Sequence, residues 1–226
     1  MSTYHSEPTE IFIDSLKDID TIKTILVNVD ENARELLLKL SVVSLVTKFQ
    51  VFVESILSDF LYHLQHDKVR GSKLNDYIKI NSVYIQLNKE DDVLKKLRTA
   101  HGEFTTLKEK VLKELKQFSY LYEDVIIDDS FCFNTKFPIG KTGSDDLCRL
   151  LAQFDGDNNP LGCDFDGITM DKGRLDELIG IRNSIVHQDK FSNCTEQKID
   201  ELVNTCKTVG IYIDEYVYRK TAAFFL

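Results

Sequence analysis

Residues that interrupt regular structure are scarce in this sequence, and its cysteines show no pattern of cross-links. Its 226 residues include three prolines, ten glycines and no tryptophan. Because proline and glycine are the strongest interruptions of regular structure, their scarcity favours long helices. The five cysteines are odd in number and no two are spaced as C-x-x-C, so neither a disulfide framework nor a zinc ribbon is indicated. A reduced, cytoplasmic setting is the simplest interpretation.

Basic residues are also fewer than acidic residues. The chain carries 28 Lys and Arg against 37 Asp and Glu, a net charge of −9 with a pI of about 5.1. This balance disfavours loose binding of nucleic acid over the whole surface, so any RNA contact must use a local basic patch. The most basic segment lies within Lys89–Phe118, which is predicted to be a long polar helix and is most simply a solvated face.

No segment indicates a membrane span or a signal peptide. Residues 1–8 are polar and lack the features of a secretory signal. The longest apolar run, Leu36–Leu64, is expected to be a buried core helix, because a span needs about 20 mostly apolar residues. Four charged side chains interrupt this run: Lys39, Lys48, Glu54 and Asp59. We therefore expect no membrane contact.

Hydrophobic periodicity predicts an all-α protein, a single domain of residues 1–226 folded as an antiparallel helical bundle. Leu74–Leu87 is ambiguous between strand and helix, and we interpret it as short helices. Asp30 or Asn32 is the expected cap of the long second helix, and Ser144 or Thr142 that of a short later one. The other predicted helices are Glu10–Val27, Ala33–His66, Lys89–Phe118, Ser144–Phe154, Asp171–His187 and Thr195–Tyr218.

One stretch near the end of a periodic helix combines an arginine, an amide and a histidine. From Leu175 onwards the apolar positions are Leu178, Ile179, Ile185 and Val186, which form one face of a helix. Arg182 falls on that stripe. A guanidinium is costly to bury unless something pairs with it. A charge at a position where leucine would pack better is a local conflict of the kind found at functional sites.

The sequence Arg182-Asn183-x-x-x-His187 resembles the R-N-x-x-x-H motif of the HEPN superfamily. The layout is similar too, with a long apolar helix early, the motif late and an amphipathic helix after it. The resemblance covers most of the chain. It implies an all-helical domain that cleaves RNA without a metal, with a composite site across a homodimer. In bacteria such nucleases often act as toxins or defence effectors, which implies a neutralising antitoxin or regulatory protein as a partner.

The motif residues suit that chemistry. RNA cleavage without a metal needs a base for the 2′-hydroxyl proton, an acid for the leaving 5′-oxygen and a cation for the phosphorane charge. His187 can fill the first two roles and Arg182 the third. Five residues of helix turn the two side chains about 140° apart, so one motif makes a poor pocket and two facing motifs a better one. Asn183, four residues before His187, can orient the site or the substrate.

Two alternatives stay open. Arg182 could instead pair with a carboxylate, in which case the motif helix would be an interface of a non-catalytic binding module, a role the acidic pI favours. Glu54 lies on a polar lane of the second helix with Thr47, Gln50 and Ser58. One alternative is that this polar lane lines the cleft of the active site, with Glu54 accepting hydrogen bonds from Arg182. The other is that the lane is the solvated edge of the helix.

Other candidate motifs lack the residues or the spacing that a phosphate-binding loop, a calcium loop or a metal site requires. Gly140-Lys141-Thr142 lacks the first glycine of a phosphate-binding loop, since Thr135 stands in its place. The segment from Asp155 has Pro160 where a calcium loop requires glycine. Asp59, His63 and His66 share helical spacing but have no evident fourth metal ligand. We therefore predict no cofactor and no metal site. The predicted function is a metal-independent endoribonuclease acting on single-stranded RNA or an exposed RNA loop.

Overall fold

The computed structural model describes residues 6–89, 118–119, 123–137, 143–165, 167–190 and 195–225. Within these residues the regular structure is helical, with isolated bridges but no strand. The all-α prediction is confirmed, whereas the polar helix expected at Lys89–Phe118 falls almost entirely outside the described residues. The α-helices are α1 (Glu7–Ser15), α2 (Lys17–Leu26), α3 (Glu31–His66), α4 (Asp76–Lys89), α5 (Gly143–Leu151), α6 (Lys172–Gln188) and α7 (Glu196–Thr221).

The helix predicted at Glu10–Val27 is two helices, α1 and α2, joined at Leu16. The Ser15 hydroxyl donates to the Phe12 carbonyl at 2.7 Å. This local bond offers the backbone an alternative to continuing the helix, as serine side chains often do. Leu16 is itself buried, so the break keeps the apolar residues on both sides of it directed into the core.

The long helix α3 begins at Glu31, two residues before the predicted start at Ala33, and Asp30 rather than Asn32 is its cap. The Asp30 carboxylate accepts from the Ala33 amide at 2.9 Å, an N-cap bond that satisfies one of the free donors of the first turn. An 18-residue window of α3 has a mean hydropathy of 1.8, so by length and composition alone this helix could cross a membrane. Of that window, 44% is buried in the structure, and the core helix of a soluble protein passes the same test. The absence of membrane contact stays a prediction.

The described residues divide into two compact units. The first consists of Met1–Leu57, Thr135–Ala152 and Asn158–Arg219, and includes α1, α2, α5, α6, most of α7 and the larger part of α3. The second consists of Ser58–Asn134, Gln153–Asp157 and Lys220–Leu226, and includes α4. The single-domain expectation stays a prediction.

The core of the first unit is aromatic and closely packed. Phe12 stacks on Phe52 with ring centroids 4.6 Å apart, and Phe49 meets Phe137 edge to face at 6.0 Å. Gly210 on α7 lets these rings approach, because a Cβ atom there would lie 2.9 Å from the Phe12 ring. Helices α1, α3 and α7 are therefore held together at one point.

The second unit has its own aromatic cluster, in which Phe60 lies 5.1 Å from Phe133 and 5.0 Å from Phe154. Asn75 ties α4 to it. The Asn75 side-chain oxygen accepts from the Ile78 amide at 3.0 Å, and its nitrogen donates to the Phe154 carbonyl at 2.6 Å. Helix α4 is a single helix rather than the short helices expected, and Asn75 is its N-terminal cap.

Candidate functional site

Helix α6 carries the motif, and its first half is firmly anchored. Asp171 caps it as predicted, with its carboxylate accepting from the amides of Gly173 and Arg174. The predicted apolar stripe is buried in this half, at Leu175, Leu178 and Ile179. Burial of such side chains contributes about 1.5–3 kcal/mol each. The N-terminal half of α6 is therefore a rigid base for the motif.

A second anchor joins α6 to the start of α5. Both carboxylate oxygens of Asp176 accept from Ser144, one from its amide and one from its hydroxyl, each at 2.8 Å. A side chain at Gly143 would meet Ile179 at 2.6 Å, so the glycine permits this close approach. The cap of α5 thus comes from another helix. The expectation that Ser144 is the cap was wrong, since Ser144 lies inside α5, and Thr142 lies outside the described residues.

The second half of α6 is much less buried. Ile185 is half-buried, Val186 is 48% exposed and His187 is exposed, so the stripe that the sequence predicts does not continue as core beyond Ile179. The helix ends at Gln188, and Asp189 follows it with a φ of 50° in the left-handed region. The motif therefore lies on an accessible surface.

Arg182 and Asn183 are joined directly. Arg182 is half-buried, and its Nη1 donates to Asn183 Oδ1 at 3.0 Å. Within the described part of the chain, Arg182 makes no ion pair. Asn183 and His187 are separated by about 40° around the helix, against about 140° for Arg182 and His187. The hydrogen bond therefore draws the guanidinium towards the helix face that carries His187.

The structure places Glu54 with other partners. Its carboxylate accepts from the Phe137 amide and from the Lys136 ammonium, each at 3.1 Å, and from Gln50 at 3.3 Å. Burial raises the pKa of Glu54, but these three donors outweigh it and the pKa lies below its ordinary value. A bond between Glu54 and Arg182, one of the two alternatives for the polar lane, is not among these contacts.

Apolar side chains are exposed on α3 in the same unit as the motif. Leu36 is 56% exposed, Leu40 is 50% exposed and Val51 is 58% exposed. They lie along one side of the helix, since positions 36, 40 and 51 fall within about 60° of one another. Lys39, on the next turn from Leu36, contacts Asp189 at the end of α6. Contiguous exposed apolar patches on soluble proteins often mark interaction sites.

The histidines of α3 are engaged in local contacts. His63 Nδ1 lies 2.6 Å from an Asp67 oxygen, and the His66 ring stacks on Tyr62 with centroids 4.1 Å apart. In the part of the chain that the structure describes, no group of three His, Cys, Asp or Glu side chains is arranged to hold a metal ion. That no metal takes part in function stays a prediction, since it rests on the chemistry of the motif.

A groove of about 300 Å³ lies at the opposite end of α6 from His187. Its walls come from the first turn of α6 and from α7, and include Asp171, Arg174, Asn204 and Val209. None of the motif residues lines it. The groove therefore lies apart from Arg182, Asn183 and His187.

Comparison with known proteins identifies a family. The family model described as RiboL-PSP-HEPN matches residues 10–219, a range that includes the motif and α1 to α7 apart from their outermost residues. No curated protein and no solved structure matches the chain. The family match agrees with the helical fold and with the position of the motif on α6. The chain belongs to the RiboL-PSP-HEPN family.

Proposed function

We propose that this protein is a metal-independent endoribonuclease that cuts single-stranded RNA or an exposed RNA loop. One observation carries the proposal. Arg182 is half-buried without a carboxylate partner among the described residues, and Asn183 holds it towards the face of an exposed histidine. A structural arginine would be expected to neutralise its charge by an ion pair. Here the charge stays available to an anion.

The proposed reaction has two proton transfers. The imidazole of His187, or that of a second copy, takes the proton of the ribose 2′-hydroxyl as the 2′-oxygen attacks the adjacent phosphorus. A bond forms from that oxygen to phosphorus, the bond to the 5′-oxygen breaks, and the protonated imidazole of the other copy's His187 gives its proton to the leaving oxygen. Arg182 stabilises the negative charge that grows on the phosphoryl oxygens. The products are a 2′,3′-cyclic phosphate and a free 5′-hydroxyl.

We propose further that the site is completed across a homodimer. A single motif supplies one histidine, while the reaction uses a base and an acid. Val186 is exposed beside His187, and Leu36 and Leu40 are exposed on α3, where Lys39 contacts Asp189 just beyond the motif helix. In the proposed dimer a second copy covers these apolar side chains. A two-fold interface brings the same residues of both copies together, so each motif would face its equivalent.

The decisive test compares RNA cleavage by the parent protein and by His187→Ala, at a protein concentration where light scattering reports a dimer. The proposal expects cleavage by the parent in EDTA and a loss of about 10²–10⁴-fold in the variant. Equal rates for the two proteins would reject His187 as the proton-transfer group. Absence of cleavage by the parent, on every RNA in a pool of random sequence, would reject the nuclease.

The exposed apolar side chains also favour a second candidate, a non-catalytic module in which the motif helix binds a protein. The net charge of −9 agrees with it. A role as toxin or defence effector would combine the two, with an antitoxin or regulatory protein covering the motif. Val186→Asp separates them. A binding module loses its partner and has no RNA cleavage to lose, whereas the nuclease loses dimerisation and cleavage together.

A further inference from the structure

Lys39 on α3 holds the C-terminal end of the motif helix. Its ammonium donates to the Asp189 carboxylate at 2.9 Å and to the Asp189 main-chain carbonyl at 3.3 Å. Glu35, one turn earlier on α3, lies 2.9 Å from the same nitrogen. The Lys39 side chain is 14% exposed, so its stem is packed along the protein and its ammonium bridges two helices.

Among the described residues, the final turn of α6 makes few other contacts with the rest of the protein. Val186, His187 and Gln188 are exposed, and Ile185 is half-buried. The amides of Asp189 and Lys190 close the helix end on the carbonyls of Ile185 and Ser184, at 3.1 and 3.2 Å. These bonds are internal to the turn and do not fix it to the rest of the protein. A turn with few buried contacts opens easily unless another element holds it.

We infer that Lys39 is the positioning residue of the motif, which fixes the turn carrying His187 against α3 by binding Asp189. This inference rests on the proposed function for its catalytic consequence. The Lys39 ammonium reaches a carbonyl at the helix C-terminus, where cations are favoured by the helix dipole. The hydrogen bond to Asp189 also raises the pKa of Lys39. Lys39 does not touch the substrate in this account.

The chain supplies a matched control on the same helix. Lys48 also forms an ion pair between helices, with its nitrogen 2.7 Å from Asp18, and its side chain is 20% exposed. Its partner lies on α2, away from the motif helix. Lys39→Met and Lys48→Met therefore remove the same charge, keep a stem of similar length and break one interhelical pair each. Only the first releases the end of α6.

The first measurement is amide hydrogen exchange, which needs no RNA. Lys39→Met should raise the exchange rates of the Asp189 and Lys190 amides about tenfold, with the amides of Leu178 and Ile179 unchanged. Lys48→Met should leave all four unchanged. Asp189→Asn keeps a residue tolerant of a positive φ and removes only the negative charge, so it should raise the same two rates by a smaller factor, because Lys39 can still donate to the amide oxygen and to the main-chain carbonyl. Unchanged exchange in Lys39→Met would overturn the inference.

The second measurement is RNA cleavage by the same variants. Lys39→Met should lower kcat about 10- to 100-fold with little change in KM, because a misplaced proton-transfer group affects the reaction more than binding. Lys39→Arg should restore most of the rate, since a guanidinium can donate to both Asp189 oxygens. An unchanged kcat in Lys39→Met would overturn the positioning role. If the parent cuts no RNA, the proposed function fails while hydrogen exchange still decides whether Lys39 holds the turn.

Discussion

Arg182 Nη1 donates to Asn183 Oδ1 at 3.0 Å, and this bond joins two neighbouring residues whose side chains leave the helix about 100° apart. The guanidinium must therefore bend around the helix to reach the amide. Because Asn183 and His187 share a face, the bend brings positive charge towards the histidine. The arrangement gives Asn183 a defined role in the proposed nuclease, which is to orient Arg182 without neutralising it.

Replacing the amide by a carboxylate should expose this role. Asn183→Asp puts a negative group beside the guanidinium, where a charge-assisted pair forms and competes with the RNA phosphate. We expect cleavage to fall about 10- to 100-fold, and Asn183→Ala, which only frees the arginine, to lose less. Single-turnover cleavage rates measure the effect. A rate in Asn183→Asp equal to that of the parent would show that the amide does not orient Arg182.

Arg182 should matter for cleavage and little for stability. Arg182 has no carboxylate partner in the described residues, so its removal leaves no buried carboxylate unpaired. Arg182→Ala should therefore change the free energy of unfolding by less than about 1 kcal/mol. The same variant should cut RNA about 10²–10³-fold more slowly, and Arg182→Lys should lie between. Urea unfolding and cleavage assays test both halves. A strong loss of stability would identify Arg182 as a structural residue.

Two adjacent acidic residues on α6 should differ sharply in their effect on stability. Asp176 binds the amide and hydroxyl of Ser144, so Asp176→Ala should lower the free energy of unfolding by about 1–2 kcal/mol. Glu177 forms a surface ion pair with Lys198 at 2.7 Å, and Glu177→Ala should cost less than about 1 kcal/mol. Urea unfolding measures both. Equal losses would contradict the capping of α5 by α6.

Glu54 should contribute to the pH dependence of stability. Its pKa is lowered in the folded state, so its carboxylate stabilises the fold above its ordinary pKa near 4.5. That contribution is lost as the pH falls through the lower, folded pKa. Glu54→Gln should therefore reduce the difference in unfolding free energy between pH 7 and pH 4. The exposed Glu123→Gln is the control, and an unchanged difference in Glu54→Gln would contradict the role assigned to its three donors.

Local signals predicted much of the fold. Asp30 and Asp171 each stand one residue before a strongly periodic segment, and both are caps in the structure. The first half of the motif stripe, Leu175 to Ile179, is buried as its spacing predicts. Such features depend on neighbours in sequence. The break at Leu16 also has a local cause, the Ser15 hydroxyl, but continuous periodicity across it concealed the break.

Tertiary partners could not be predicted in the same way. Periodicity shows that Ile185 and Val186 share a face with Ile179, but not that the core ends before them. The partner of Ser144 lies 32 residues away, and that of Lys39 lies 150 residues away. Arg182, Asn183 and His187 were identified from their spacing and family resemblance. Their relative orientation needed the rotamer of Arg182, which sequence does not specify.

The most direct test of the proposed chemistry is the end group of the RNA product. The parent protein and His187→Ala are incubated with one RNA in the presence of EDTA, and the masses of the products are measured by mass spectrometry. The account predicts a 2′,3′-cyclic phosphate from the parent and a loss of product of about 10²–10⁴-fold in the variant, because the adjacent hydroxyl is the nucleophile and His187 moves its proton. A 3′-hydroxyl product, or full activity in His187→Ala, would contradict it.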